Sequence, residues 1–281
     1  MPYANPDSLV STEWLAQRLD APDLRIVDGT WYLPSQGKNG RTEYEAQHIP
    51  GAVFFDIDEI ADTDSDLPHM LPSPEKFSAR VRKLGLGDGN RIVVYDQLGM
   101  MSAARVWWTF RVFGHDWVAV LDGGFPRWRA EGRPVASGEA APRPRRFTAR
   151  LRRRLVRDLV SVRGNLKTRR EQVLDARSRG RFTGTEPEPR AGLRSGHIPG
   201  SLNLPYEQLY QADGTLLGAD ALRRQFEAAG LDLGKPIVTS CGSGVTASVL
   251  ALGLAVLGRA DVAVYDGSWT EWGGRADTPV E

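Results

Sequence analysis

The feature that most constrains this 281-residue chain is that it contains itself twice. QHIPGAVFFDI in the first half matches GHIPGSLNLPY in the second. RKLGLGDGNRIVVYDQLGMMSAARVWWTF then matches EAAGLDLGKPIVTSCGSGVTASVLALGLA, and WVAVLDGGFPRW matches DVAVYDGSWTEW. Three matches in one order imply a duplicated domain rather than one large core, which the length alone would also allow. Any fold must build one unit twice, and any function must account for where the copies differ.

Within each copy, short β-branched runs alternate with helical patterns. LRIVDG, AVFFD, RIVVYD and VAVLDG recur in the second half as EQVLDAR, PIVTS and VAVYDG. Strands of four to six residues separated by helices predict parallel sheets covered on both faces. STEWLAQRL and SPEKFSARVRKLGL carry helix start signals, a Ser or Thr followed by an acidic residue. The expected division is residues 1–138, a connector over 139–157, and residues 158–281. The connector is rich in Pro, Gly and Arg and reads as an exposed, salt-bridged linker. Its arginines lack the aromatic interleaving of a nucleic-acid surface, and the net charge of +1 supplies no global attraction to one.

At 41% hydrophobic and 25% charged residues, the composition excludes disorder and fibrous classes. The N-terminus has no basic segment leading into an apolar one, and VLALGLAVLG is too short to span a bilayer, which takes about 20 residues. With one cysteine, no disulfide can form within the chain. A cytoplasmic protein with no membrane partner is expected.

That cysteine, Cys241, follows the strand PIVTS and opens the turn CGSGVT before a helix expected to start around Val245. In α/β folds, ligand sites lie beyond the carboxyl ends of the strands. Gly242 and Gly244, with Ser243 between them, let the backbone curl and turn amides inward, and Val245 and Thr246 bring in the positive end of the helix dipole. A cysteine at the rim of such a cradle suits a nucleophile, because the field favours thiolate. The repeat places Asp96 opposite Cys241, so the first half cannot perform the same covalent step.

Competing chemistries fail on specific residues. Cys-x5-Arg phosphate chemistry needs an arginine where Ala247 stands. Metal binding needs clustered Cys and His ligands, which the sequence lacks, so no metal or organic cofactor is expected. His48 and His197 both lie in HIPG, and a residue kept by the half without a thiol reads as a turn or packing element.

The duplication, the HIPG turns and the CGSGVTA loop resemble the tandem rhodanese-domain sulfurtransferases, particularly those acting on 3-mercaptopyruvate. The resemblance runs from STEWLA to DGSWTEWGG and is most specific in CGSGVTA, GRFTGTEPEPRAGLRSGHIPG and FFDIDEIADTDSDLPHMLP. It implies two rhodanese-like α/β domains, each a parallel five-stranded sheet flanked by helices, with the active site between them. It also implies that Cys241 takes up sulfane sulfur as a persulfide and passes it to an acceptor. That acceptor would be a thiol, such as a thioredoxin-type protein, or cyanide. Arg181 and Arg190 correspond to the family's substrate-binding arginines, and the planar fork of arginine suits a carboxylate. Asp58 and His69 match the acid and histidine that the family groups with the loop serine, here Ser243. Arg177 is expected to be structural and to pair with Asp175, while Arg194 stays unassigned. Gly242 and Ser243 are small and neutral where thiosulfate-specific members carry basic residues, which favours a monoanionic keto acid. The alternatives are a thiosulfate:cyanide sulfurtransferase and a non-catalytic persulfide carrier.

Overall fold

In the computed structural model, which describes residues 2–281, each half forms a parallel sheet of five strands. The first contains β1 (Leu9–Val10), β2 (Leu24–Asp28), β3 (Ala52–Phe54), β4 (Arg91–Tyr95) and β5 (Val118–Leu121), in spatial order β1-β5-β4-β2-β3. The second contains β6 (Val156–Arg157), β7 (Gln172–Asp175), β8 (Leu202–Asn203), β9 (Ile237–Ser240) and β10 (Ala263–Tyr265), in order β6-β10-β9-β7-β8. The second order repeats the first strand for strand. The central strands β4 and β9 come from the apolar runs RIVVY and IVTS, as sheets covered on both faces require. Ser11 and Ser73 cap helices Thr12–Ala16 and Pro74–Lys83 by accepting the amides of Trp14 and Lys76.

The halves meet through the helices that follow β4 and β9. Helix Ala247–Val256, ASVLALGLAV, is buried at all ten positions. It has no polar stripe, so its own sheet can cover only part of it and the other half must cover the rest. It packs against Ala103–Val112, and one apolar cluster runs through both halves, from Val27 and Trp107 to Leu174 and Leu250. Two matching ties cross the interface. Asp122, just after β5, accepts the Leu216 amide at 2.8 Å, and Asp266, just after β10, accepts the Leu71 amide at 2.8 Å. Each leucine stands three residues before a helix of the opposite half, Ala219–Ala228 or Pro74–Lys83.

The connector differs from a free linker, and it ends before residue 157, since Val156–Arg157 is strand β6 of the second sheet. Residues 139–152 form no helix or strand, but their backbone is strapped to the first half. The Arg146 carbonyl accepts the Asp88 amide at 3.0 Å, and the Arg150 amide donates to the Phe113 carbonyl at 2.8 Å. Phe147 is buried beside Phe77, Phe110 and His115. Phe147 adds an apolar anchor to these backbone bonds. Arg152 forks onto Asp116 at 2.5 and 2.7 Å, which accounts for one cation of the cluster as an ion pair.

Candidate active site

Cys241 follows β9, the central strand of its sheet. The carbonyls of the turn are tied outward to the start of helix Ser268–Gly274. Cys241 accepts the Trp269 amide at 2.9 Å, and Gly242 accepts the amide and hydroxyl of Thr270 at 2.9 and 2.6 Å. Gly244 has φ +78°, a conformation that disfavours any side chain. The helix begins at Ala247, with Thr246 flanking it, two residues later than expected.

Cys241 does not sit at an open rim. It is 1% exposed, and Gly242, Ser243, Gly244 and Val245 are buried with it. Arg190 and Tyr206 lie close enough to interact electrostatically with its sulfur.

The expected substrate-binding arginines converge beside this turn. A Cβ on Gly242 would lie 3.0 Å from Arg181 Nη2 and 3.8 Å from Arg190 Nη1, so glycine leaves room for both guanidinium groups. Ser178 caps the short helix that carries Arg181. Glu188 bridges Arg181 at 2.6 Å and Arg177 at 2.7 Å. Arg177 also forks onto Asp175, bonds the Gly196 carbonyl and lies over the Trp269 ring. It is therefore the structural member of the group, and Arg181 is held in place through Glu188. Arg194 belongs elsewhere, clamping the carbonyls of Trp272, Gly273 and Thr278 near the C-terminus.

Arg190 has no ion-pair partner among the described residues. Its Nη2 lies 3.4 Å from His69 Nε2 and 3.5 Å from Ser243 Oγ. Burial pulls its pKa below the usual arginine value, against the charges of Cys241 and Asp58.

His69 Nδ1 is 2.7 Å from Asp58 Oδ1, and Trp31 Nε1 donates to Asp58 Oδ2 at 2.9 Å. The tautomer follows from these partners. Arg190 can only donate, so Nε2 accepts and the ring proton sits on Nδ1, close to the Asp58 carboxylate without hydrogen-bond alignment to it. Burial lowers the His69 pKa, and the charges of Arg105 and Arg190 add to that, outweighing Asp58, so the imidazole is neutral near pH 7. Burial opposes ionisation of Asp58, yet His69, Trp31 and Arg190 together hold its carboxyl below the ordinary value. Asp58, His69 and Ser243 thus share one corner, but Arg190 stands between His69 and Ser243, in place of a direct contact.

The HIPG histidines lie outside this corner. His48 stacks on Tyr44 with Nδ1 2.8 Å from the Tyr44 carbonyl, and His197 stacks on Phe182 with Nδ1 2.9 Å from the Phe182 carbonyl. Sequence reasoning missed Trp31, Arg105, Glu188 and Asp266. One signal for Arg105 was available: it is a cation early in AARVWWTFRV, where its apolar neighbours predict burial.

This arrangement, a cysteine turn between two copies of one α/β domain, defines a tandem rhodanese-like architecture. A rhodanese-like domain profile matches residues 11–131 and again 159–275. The chain belongs to the rhodanese-like family, and it is a sulfurtransferase. It is 45% identical to human 3-mercaptopyruvate sulfurtransferase, over 96% of this chain and 93% of that protein. It is 47% identical to bovine thiosulfate sulfurtransferase over the same shares. The solved structure of SseA from Escherichia coli, presented with the rhodanese fold of 3-mercaptopyruvate sulfotransferases, superposes with a TM-score of 0.86. Its identity is 39%, over 93% of this chain and 98% of that one. No helix among the described residues is long and apolar enough to cross a membrane.

Proposed function

We propose that the chain transfers sulfur from 3-mercaptopyruvate through a Cys241 persulfide, the thiol-free first half lending residues to the site. The Cys241 thiolate attacks the donor sulfur, and the donor C–S bond breaks. Its electron pair passes to carbon as pyruvate enolate, which takes up a proton and leaves as pyruvate. The sulfur remains on Cys241 with its own hydrogen. An acceptor thiolate or cyanide then attacks the outer sulfur, and the S–S pair returns to Cys241. Arg181 and Arg190 bind the keto-acid carboxylate, the amides of the 242–246 turn steady charge at sulfur, and Asp58–His69 with Ser243 manages the proton.

One observation carries the choice of donor: Arg190 Nη2 touches both His69 Nε2 and Ser243 Oγ. A carboxylate-binding cation is thereby built into the group that handles the proton. Breaking a C–S bond creates a carbanion that needs a proton. Thiosulfate releases sulfite and leaves no such carbon. The rival donor has its own support, since the relatives named for thiosulfate are equally similar. A reducing, cytoplasmic setting suits a lone thiol that must stay free, and is part of the same proposal.

The test compares kcat/KM for the two donors with a small thiol as acceptor. A preference for 3-mercaptopyruvate is expected, and a preference for thiosulfate overturns the donor assignment. Repeated turnover separates an enzyme from a carrier, which would stop after one sulfur per chain.

A further inference from the structure

We infer that Arg105 is a positioning residue for His69, acting from beneath the sulfur-transfer site. The inference rests on the proposed role of His69 in that reaction.

Arg105 lies in helix Ala103–Val112 and is 2% exposed. Its Nη2 donates to both the His69 carbonyl and Asp266 Oδ1, the latter at 2.7 Å. Asp266 Oδ2 in turn accepts the Leu71 amide. One buried ion pair therefore holds the peptide groups on both sides of Met70. Arg105 Nη1 makes no hydrogen bond, and a Cβ on Gly244 would come within 2.7 Å of it. The same guanidinium thus supports the His69 turn and underlies the Cys241 loop.

The repeat shows what this arrangement adds. The counterpart of Arg105 in the second half is Leu250, so an apolar residue satisfies helix packing at this position. Asp122 binds the Leu216 amide as Asp266 binds Leu71, but without an arginine bonded to it. The counterpart of His69, five residues before the next helix, is Gly214 with φ +81°. His69 adopts the same left-handed turn at φ +62°, a conformation that glycine tolerates and histidine resists. The guanidinium is present on the side where a histidine must hold that turn with its imidazole aimed at Asp58 and Arg190. A buried ion pair is a weak source of net stability, which leaves placement of His69 as what it contributes.

The test is a double-mutant cycle between Arg105 and His69, read in kcat and KM with 3-mercaptopyruvate. Arg105→Leu with Asp266→Asn removes the pair without leaving a lone buried charge. Arg105→Lys retains the charge and serves if the first protein does not fold. In the wild-type background we expect kcat to fall at least tenfold for the first variant and about threefold for the second, with KM within threefold. In a His69→Gln background, either change should lower kcat by less than twofold, because the residue it positions is gone. An unchanged kcat in the wild-type background, or the same fold-loss in both backgrounds, overturns the inference. A His69→Gln enzyme with wild-type kcat overturns the proton-handling reading itself, which is a separate result.

Discussion

The turns after β4 and β9 are the same piece of backbone put to two uses. In the first half, Asp96 occupies the position of Cys241, and its carboxylate accepts the amides of Leu98 at 2.8 Å and Ala103 at 2.7 Å. Burial raises its pKa above the ordinary carboxylate value, and these amides offset only part of that rise. Gly99, with φ +116°, corresponds to Gly244 at +78°. In the first half the turn's amides bond a carboxylate, and the second half has a sulfur at the same position. The comparison separates two requirements. The amides bonded to Asp96 belong to the first turn, whereas Arg181 and Arg190 stand only beside the second.

Exchanging the two residues breaks that comparison most sharply. Cys241→Ser should lower sulfur transfer at least a thousandfold, and Cys241→Ser with Asp96→Cys should not restore it. Steady-state assays and intact-mass detection of bound sulfur check both. Activity in the exchanged protein would mean that the amide cradle alone suffices.

Arg181→Leu sharpens the same point at smaller cost. Charge-assisted bonds contribute about 1.5–3 kcal/mol, so KM for the keto acid should rise roughly 10- to 100-fold. The measurement is KM against kcat, and an unchanged KM would remove Arg181 from the donor site.

The smallest expected effect concerns the ends of β2 and β7. Asp175 is neutralised by Arg177, whereas Asp28 has Thr30 and Tyr95 as hydrogen-bond partners and no cation beside it, and burial raises its pKa to about 7. A carboxyl with a raised folded-state pKa favours the fold below its unfolded pKa, near 3.8, and that contribution fades as pH rises through about 7. Replacing Asp28 with Asn should therefore flatten the loss of stability between pH 5 and 8. It should raise Tm at pH 8, by about 2–4 °C for each kcal/mol recovered in a protein of this size. Melting curves across that range decide it, and a parallel loss in the variant would show that Asp28 is not the group responsible.

Much of the fold was legible because its signals are local. RIVVYD and PIVTS contain β4 and β9 because runs of β-branched residues have few other uses. The two-residue strands β1, β6 and β8 escaped, since two residues cannot show alternation. In the site, Cys241 stood out as a lone residue in an unusual turn. Arg181, Arg190, Asp58 and His69 were found through resemblance alone, as loop arginines and a loop histidine carry no local mark. Glu188 and Asp266 carry no local mark either. Their roles depend on distances to Arg181 and Arg105, one set by a loop closing on itself and the other by the meeting of two halves. No spacing along the chain encodes those distances.

The unbroken apolar surface of helix Ala247–Val256 has a consequence for how such a protein can arise and persist. With all ten positions covered, either half in isolation would leave a large oily face in water. The halves are thus bound to fold as partners, and the copy without sulfur chemistry cannot be shed. Because of that dependence, the residues of the copy without a cysteine stay at the shared site, where Asp58 and His69 meet Arg190.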